Sequence, residues 1–383
     1  MPAEPPPQTP PGLVLPPLVD HHCHGAARTD LTPEAFEGFL TESDAPAAPG
    51  TTYFDTQLGF AVRRWCPPLL DLEPHCPPGR YLQRRQELGA AEVTRRLLRG
   101  AGIGTFLVDT GLPGDLTGPR EIAEAAGGAA HEIVRLETLA ERVADGAETA
   151  EGFVSRLADA VADAARDAVG FKSVAGYRYG LDFDPAPPDR GAVRTAAARW
   201  LAGRPAGGRL TDPVLLRHLL WSAAGTALPL QLHTGFGDPD LRLHRCDPLL
   251  LTDFVRAVRP TGCTLVLLHG YPYHRGAGYL AHAFPHVYAD MGLALSHTGV
   301  RAEAVLAEML ELAPFGKLMF STDAYGLPEL YVVGARLFTT ALTRLLTGWV
   351  SEGSWAAGDA ARVAALIGAD TARRVYGLEP FRP

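Results

Sequence analysis

Residues 18–24 read LVDHHCH, a short apolar start that ends in three histidines. Alternate side chains of an extended strand share a face. His22 and His24 therefore point the same way, Cys23 turns into the core, and His21 is expected to point outward or pack. Working outward, seven further short apolar runs recur between Ala/Leu/Arg-rich stretches of helical spacing. They are Thr105–Asp109, Glu132–Glu137, Val169–Val174, Leu228–His233, Thr264–His269, Val287–Leu293 and Lys317–Asp323. With Leu18–His22 they make eight. The helix candidates between and after them are Glu151–Val169, Gly191–Ala202, Thr211–Ala224, Arg301–Leu312, Leu330–Leu346 and Gly358–Tyr376. Thr211-Asp212-Pro213 supplies a cap followed by a proline in the first turn. Alternating strands and helices imply an α/β fold with a parallel sheet covered by helices. Eight units predict a closed (β/α)8 TIM barrel, whose chemistry sits at the C-terminal strand ends. An open doubly wound sheet is the alternative.

Length and composition bound the rest. The chain has 383 residues, 46% hydrophobic and 20% charged, enough for one large core. Its net charge of −8 argues against nucleic acid and anionic membranes as partners. No apolar run approaches the ~18 residues of a membrane span. The five cysteines are dispersed and form no CxxC pair, which excludes a disulfide framework and a cysteine-rich zinc module and suits a reducing cytoplasm. Residues 1–17, rich in proline, are expected to be a disordered tail without the features of a secretory signal. Residues 18–383 are expected to form one barrel domain. The longest connection, His24 to Gly104, holds helix-like parts at Pro33–Leu40 and Tyr81–Arg99 around a loop at Arg63–Arg80. An insertion of this length between the first two strands is expected over the barrel mouth as a lid or substrate wall. GIG at 102–104 and GFG at 235–237 lack the context of a dinucleotide site. A homodimer is the base expectation for assembly.

Five strand ends carry metal-ligand chemistry. The first bears His22 and His24, the fourth Lys172, the fifth His233, the sixth His269 and the eighth Asp323. A lone strand-end histidine is more often a satisfied structural group. Five such ends meeting in one plane predict a site for a divalent ion, zinc first, with manganese or iron also accepted by these ligands. Asp323 has two available roles: binding the ion, or taking a proton from activated water and delivering it to the leaving group. A metal or a protonated His269 would polarise the substrate carbonyl. Asp109 and Glu137, at the ends of the second and third strands, either accept hydrogen bonds from ligand histidines or cap the next helix. Tyr177 and Arg178 follow Lys172 and are candidates for substrate contact, Arg178 toward a carboxylate. His274, Arg275 and His297, after strands six and seven, are weaker candidates for the same role. Glu329 and Tyr331 open the last barrel helix.

The ligand order, together with FKSVAGYRYGLDF (171–183), QLHTGFGDPDLRL (231–243), LLHGYPYHRGAGYLA (267–281) and FSTDAYGLPELYVVGA (320–335), resembles the amidohydrolase superfamily. The strings are similar to amidohydrolase-2-type proteins related to the N-terminal part of fungal FluG proteins and legume nodulins. The resemblance covers nearly the whole chain. It implies His22, His24, Lys172, His233, His269 and Asp323 as the metal set, with Asp323, His269 and Lys172 active in catalysis.

Lysine usage adds an observation. Only Lys172 and Lys317 occur, against 33 arginines. An amine that survives such a bias can do what a guanidinium cannot: lose its proton when desolvated and react with CO2. Lys172 is therefore either a carbamate that bridges metal or a free lysine that pairs with a substrate anion. Lys317 starts the eighth strand at the opposite barrel end and is expected to be structural.

The expected function is hydrolysis, by metal-activated water, of an amide-type C–N bond in a small carboxylated molecule. The resemblance narrows this to γ-glutamyl-amide-like substrates. Non-oxidative decarboxylation on a similar site is the alternative reaction, and a catalytically silent metal-binding or regulatory barrel the alternative class.

Overall fold

The computed structural model describes residues 13–379 apart from residue 206. Seven strands form one parallel sheet in chain order: β1 (Leu18–Cys23), β2 (Ile103–Asp109), β3 (Ala129–Arg135), β4 (Gly170–Ser173), β5 (Leu230–Thr234), β6 (Leu265–His269) and β7 (Val287–Ala289). Most of these strands, β6 among them, are buried along their whole length, which is why they read as unbroken apolar runs rather than alternating patterns. Helices fill the connections. Pro213–Ala224 begins where the cap signal places it, with Asp212 accepting the Val214 and Leu215 N–H groups. Thr149 caps Ala150–Asp167 in the same way.

Two expectations about the sheet are corrected. The seventh run stops at Ala289, and Gly292–Thr298 is a helix that carries His297. The eighth run, Lys317–Asp323, forms no strand. Its main chain touches both sheet edges instead. Met319 N–H donates to Ala289 O at 3.2 Å, His21 N–H to Phe320 O at 3.2 Å, and Asp323 N–H to His22 O at 3.0 Å. Regular pairing is broken because Asp20, on β1, takes Thr322 N–H and Thr322 OH onto its carboxylate, and because Asp323 is left-handed at φ 53°. Lys317 lies in a preceding turn and donates to the main-chain carbonyls of Ala281 and Phe284, a structural role.

β1 is irregular too. Asp20 pairs with Phe106 and Cys23 with Val108, so three steps on β1 match two on β2. The extra residue is a bulge, and it breaks the simple alternation of faces. Cys23 faces away from the histidines, its thiol donating to Leu107 O at 3.5 Å. All five cysteines are buried and free.

The connection from β1 to β2 holds four α-helices: Pro33–Gly38, Gln57–Trp65, Pro78–Leu88 and Ala90–Gly100. Tyr81–Arg99, expected as one helix, is two, divided at Gly89 with φ 77°. Buried Glu329 ties this connection to helix Pro328–Ser351 by accepting from Tyr81 OH at 2.7 Å and Arg85 Nε at 2.6 Å. Residues 1–12 of the expected tail lie outside the described residues; Leu13 and Leu15 pack partly buried against the core. Among the described residues no helix is long and apolar enough to cross a membrane.

Candidate metal centre

The strand ends bring His22, His24, His269 and Asp323 together. His22 Nε2 lies 3.0 Å and His24 Nε2 3.2 Å from Asp323 Oδ1, and His269 Nε2 lies 3.4 Å from Oδ2. Both His269 and Asp323 sit at left-handed backbone positions, φ 70° and 53°. Non-glycine residues hold such conformations at a cost of about 1–3 kcal/mol, and they concentrate where a side chain must be aimed. His269 is held there by its own N–H, which donates to Asp290 Oδ1 at 2.6 Å.

Proton positions follow from the partners. Gln231 Nε2 donates to the His21 carbonyl at 2.8 Å, which orients the amide and leaves Oε1 to accept from His22 Nδ1 at 2.8 Å. His24 Nδ1 donates to the main-chain carbonyl of Asp109 at 3.0 Å. Both imidazoles thus donate from Nδ1 and turn Nε2 toward the carboxylate, and on His22 that Nε2 also lies 3.2 Å from Lys172 Nζ, which can only donate to it. Burial, with the Lys172 charge beside it, pushes His22 down to about 3, so at neutral pH it has no second proton to give. Burial likewise lowers His269, and it lowers His233 strongly. Burial opposes the charge on Asp323, but the ring of histidines led by His269 holds it well below the usual carboxylate range. Three imidazole Nε2 atoms are thus set around one ionised carboxylate. Both ring nitrogens of His269 and Nε2 of His233 are buried without a hydrogen-bond partner. Orphaned buried acceptors are costly, and a divalent cation would satisfy them. Histidine ligands that hand their second N–H to a fixed acceptor are the usual arrangement around such an ion.

Two groupings have donor atoms within 4.8 Å of one another: His22–His269–Asp323 and His22–His24–Asp109. His233 and Lys172 stand beside them. The His233 ring centroid is 4.9 Å from that of His269 and 4.4 Å from that of Tyr177. Lys172 is buried, with Nζ 3.2 Å from His22 Nε2, and burial pushes it down to about 8.

A cavity of about 690 Å³ opens over this cluster, within the size range of small-molecule sites. Tyr177, Arg178 and His297 line it, together with His24, Lys172, His233 and Asp323. Residues Phe39 to Asp44 of the β1–β2 connection contribute to its wall, Phe39 lying against Tyr325 with ring centroids 5.2 Å apart. Arg178 is 7% exposed; its Nε and Nη1 have no partner, and Nη2 reaches Glu141 only at 3.4 Å. His297 Nε2 is 3.5 Å from Glu42.

Other expected residues fall elsewhere. His274 and Arg275 do not line the cavity. The helix His274–Ala283 starts after a four-residue connection from β6 and turns them away from the cavity, His274 to Glu308 at 2.7 Å and Arg275 to Glu311 at 2.9 Å. Asp109 meets His24 through its main chain, while its carboxylate binds Arg135 at 2.6 Å and lies 4.0 Å from His24 Nδ1. Glu137 belongs to helix Leu136–Asp145 and accepts from Ser173 OH at 2.6 Å and Val174 N–H at 3.0 Å, holding the turn after Lys172 rather than a histidine. Sequence reading missed Gln231, Asp290 and Arg135. Gln231 was within reach, since the parity rule applied to His22 and His24 also puts it on the face of His233.

The amidohydrolase-2 family model, described as Amidohydrolase, matches residues 104–378. A curated relative, the protein fluG of Emericella nidulans, is 34% identical over 226 residues, covering 55% of this chain and 26% of that protein. The chain thus spans about a quarter of that relative. A solved structure from Lactobacillus casei, described as a candidate metal-dependent hydrolase, superposes with a TM-score of 0.84 at 28% identity, covering 94% of this chain and 95% of that one. Uronate isomerase from Thermotoga maritima shares the fold alone, with a TM-score of 0.60 at 14% identity over 94% of each chain. With a match over most of its length and the histidine–aspartate cluster at the strand ends, this chain belongs to the amidohydrolase-2 family.

Proposed function

We propose that the chain is a metal-dependent hydrolase that acts on an amide-type C–N bond of a small carboxylated substrate. The observation that carries this reading is the convergence of the Nε2 atoms of His22, His24 and His269 on the single carboxylate of Asp323, on the floor of the cavity. His22, His24, His269 and Asp323 would hold a divalent ion, which would supply activated water at neutral pH by bringing its pKa from 15.7 to about 7. The remaining roles fall to the chain. Asp323, ionised and 13% exposed toward the cavity, takes the proton of the attacking water and passes it to the leaving nitrogen. Arg178, buried with two unpaired nitrogens, binds the substrate carboxylate as a fork. Tyr177 lies against His233, its ring tilted by 52° with centroids 4.4 Å apart, and shapes the pocket wall there.

The finer parts have separate supports. Zinc is first choice because imidazole and carboxylate suit it, with manganese and iron as alternatives. Lys172, buried and with its pKa near 8, has enough neutral amine to take up CO2 as a carbamate, and the new carboxylate would face the same cluster. Residues 318–324 serve as the eighth stave of a (β/α)8 barrel, since they hydrogen-bond to both edge strands. The γ-glutamyl-amide class comes from the resemblance to FluG- and nodulin-type barrels.

The test is turnover of a γ-glutamyl-amide panel beside an aromatic-carboxylate panel. Release of amine or ammonia is the expected result. CO2 release without either would make the chain a decarboxylase. Tight metal binding with no turnover on either panel would make it a silent metal-binding barrel.

A further inference from the structure

Beneath the metal centre a continuous run of polar contacts leads from one candidate ligand to another. His22 Nδ1 donates to Gln231 Oε1 at 2.8 Å, and Gln231 Nε2 donates to the Tyr376 hydroxyl at 2.8 Å. Tyr376 OH lies 3.2 Å from His21 Nδ1, and His21 Nε2 lies 2.8 Å from Asp290 Oδ2. The other oxygen of Asp290 accepts the His269 N–H at 2.6 Å. Tyr376 accepts from Gln231, so its own proton is free for His21 Nδ1; the approach of His21 Nε2 to Asp290 is a close polar contact without hydrogen-bond alignment. Every member is buried.

Tyr376 ends helix Thr371–Tyr376 and enters from the side of the sheet away from the cavity. Gly170, the first residue of β4, leaves room for it; a Cβ there would lie 3.3 Å from Tyr376 Cε1 and 3.1 Å from the Pro229 carbonyl. His21 reaches the same interior because the bulge in β1 turns it inward beside His22.

We infer that Tyr376 and His21 are positioning residues of the metal centre. They hold the Gln231 amide in the one orientation that keeps the proton on His22 Nδ1 and leaves Nε2 bare. A flipped amide would present N–H to Nδ1 and force the proton onto Nε2, where it would occupy the ligand position. The two N–H groups of Gln231 are anchored by the His21 carbonyl and the Tyr376 hydroxyl, so removing the hydroxyl leaves one buried donor unpaired and the flip less opposed. The inference rests on the metal-centre reading above.

The test uses the full chain with Tyr376→Phe, which removes a single oxygen. Zinc affinity is measured by chelator competition, and the His22 tautomer by imidazole 15N NMR of the metal-free protein. Affinity should fall by about 10–100-fold, as for other partners that orient ligand histidines. His22 should show a mixture of tautomers where the parent shows Nδ1–H alone. Gln231→Leu should lose at least as much affinity, and the double variant no more than Gln231→Leu. Affinity within twofold of the parent with the tautomer unchanged, or additive losses in the double variant, would overturn the inference. A parent that binds no zinc yet shows the tautomer shift in Tyr376→Phe would remove the metal reading while leaving the network standing.

Discussion

His269 and His274 stand five residues apart in LLHGYPYHRG, and both are buried. His274 meets Glu308 at 2.7 Å, a carboxylate that Arg275 also approaches at 3.7 Å but no other histidine does, and stacks on Tyr271. His269 shares Asp323 with His22 and His24, and neither of its ring nitrogens has a hydrogen-bond partner. His274 keeps Nε2 on a carboxylate that no other imidazole shares, though its Nδ1 is unpaired; His269 belongs to a group of three imidazoles set around one carboxylate, short of the donor or cation that their lone pairs call for. Residue type and burial do not separate a structural histidine from a candidate ligand here. The number of imidazoles set against each carboxylate does.

The largest effects should come from the crowded group. His22→Ala should lose metal and turnover together, and Asp323→Asn should lower kcat by about 10²–10⁴-fold. Both are read by steady-state kinetics beside metal content. Stoichiometric metal retained in His22→Ala would break the contrast at its root. At the cavity wall, Arg178→Met should cost roughly 10–100-fold in kcat/KM, mainly through KM, for a carboxylated substrate. A neutral analogue should lose little, and equal losses on both would reassign Arg178.

Acid should separate the regions next. The folded pKa values of His22, His233 and His269 lie below the ordinary 6.5. Below about pH 6.5 the unfolded chain therefore binds protons that the folded centre refuses, and stability of the metal-free protein falls as pH drops. For His22 the loss between pH 6.5 and 5 is on the order of 1–2 kcal/mol, measurable by urea unfolding. Stability that is flat over this window would contradict the lowered values. His274→Ala should keep its metal and cost about 1 kcal/mol, since Glu308 is partly exposed. Arg275→Ala, at the surface, should stay within about 0.5 kcal/mol of the parent.

The contrast also shows what sequence alone can carry. Strand ends were legible because buried parallel strands are short apolar runs, and the period of two put His22 and His24 on one side. The same rule left His21 to point outward or pack; it packs, and what it packs against could not be read because a one-residue bulge between Asp20 and Cys23 is invisible in composition. The eighth run looked like the others, yet Asp20 takes the backbone and hydroxyl of Thr322 and prevents regular pairing. His274 and Arg275 were only weak candidates for the cavity, and nothing local announces that a helix starting after the four-residue connection from β6 carries them away from it. Tyr376 had no local signal at all: it meets His21 across 355 residues of chain.

The central claim is that a cation sits among His22, His24, His269 and Asp323. Crystals of the purified protein, measured at and below a metal absorption edge alongside elemental analysis, address it directly. One anomalous peak at about 2.0–2.2 Å from the histidine nitrogens and an Asp323 oxygen is expected. Elemental analysis without metal, and imidazoles turned away from one another with no peak between them, would contradict it.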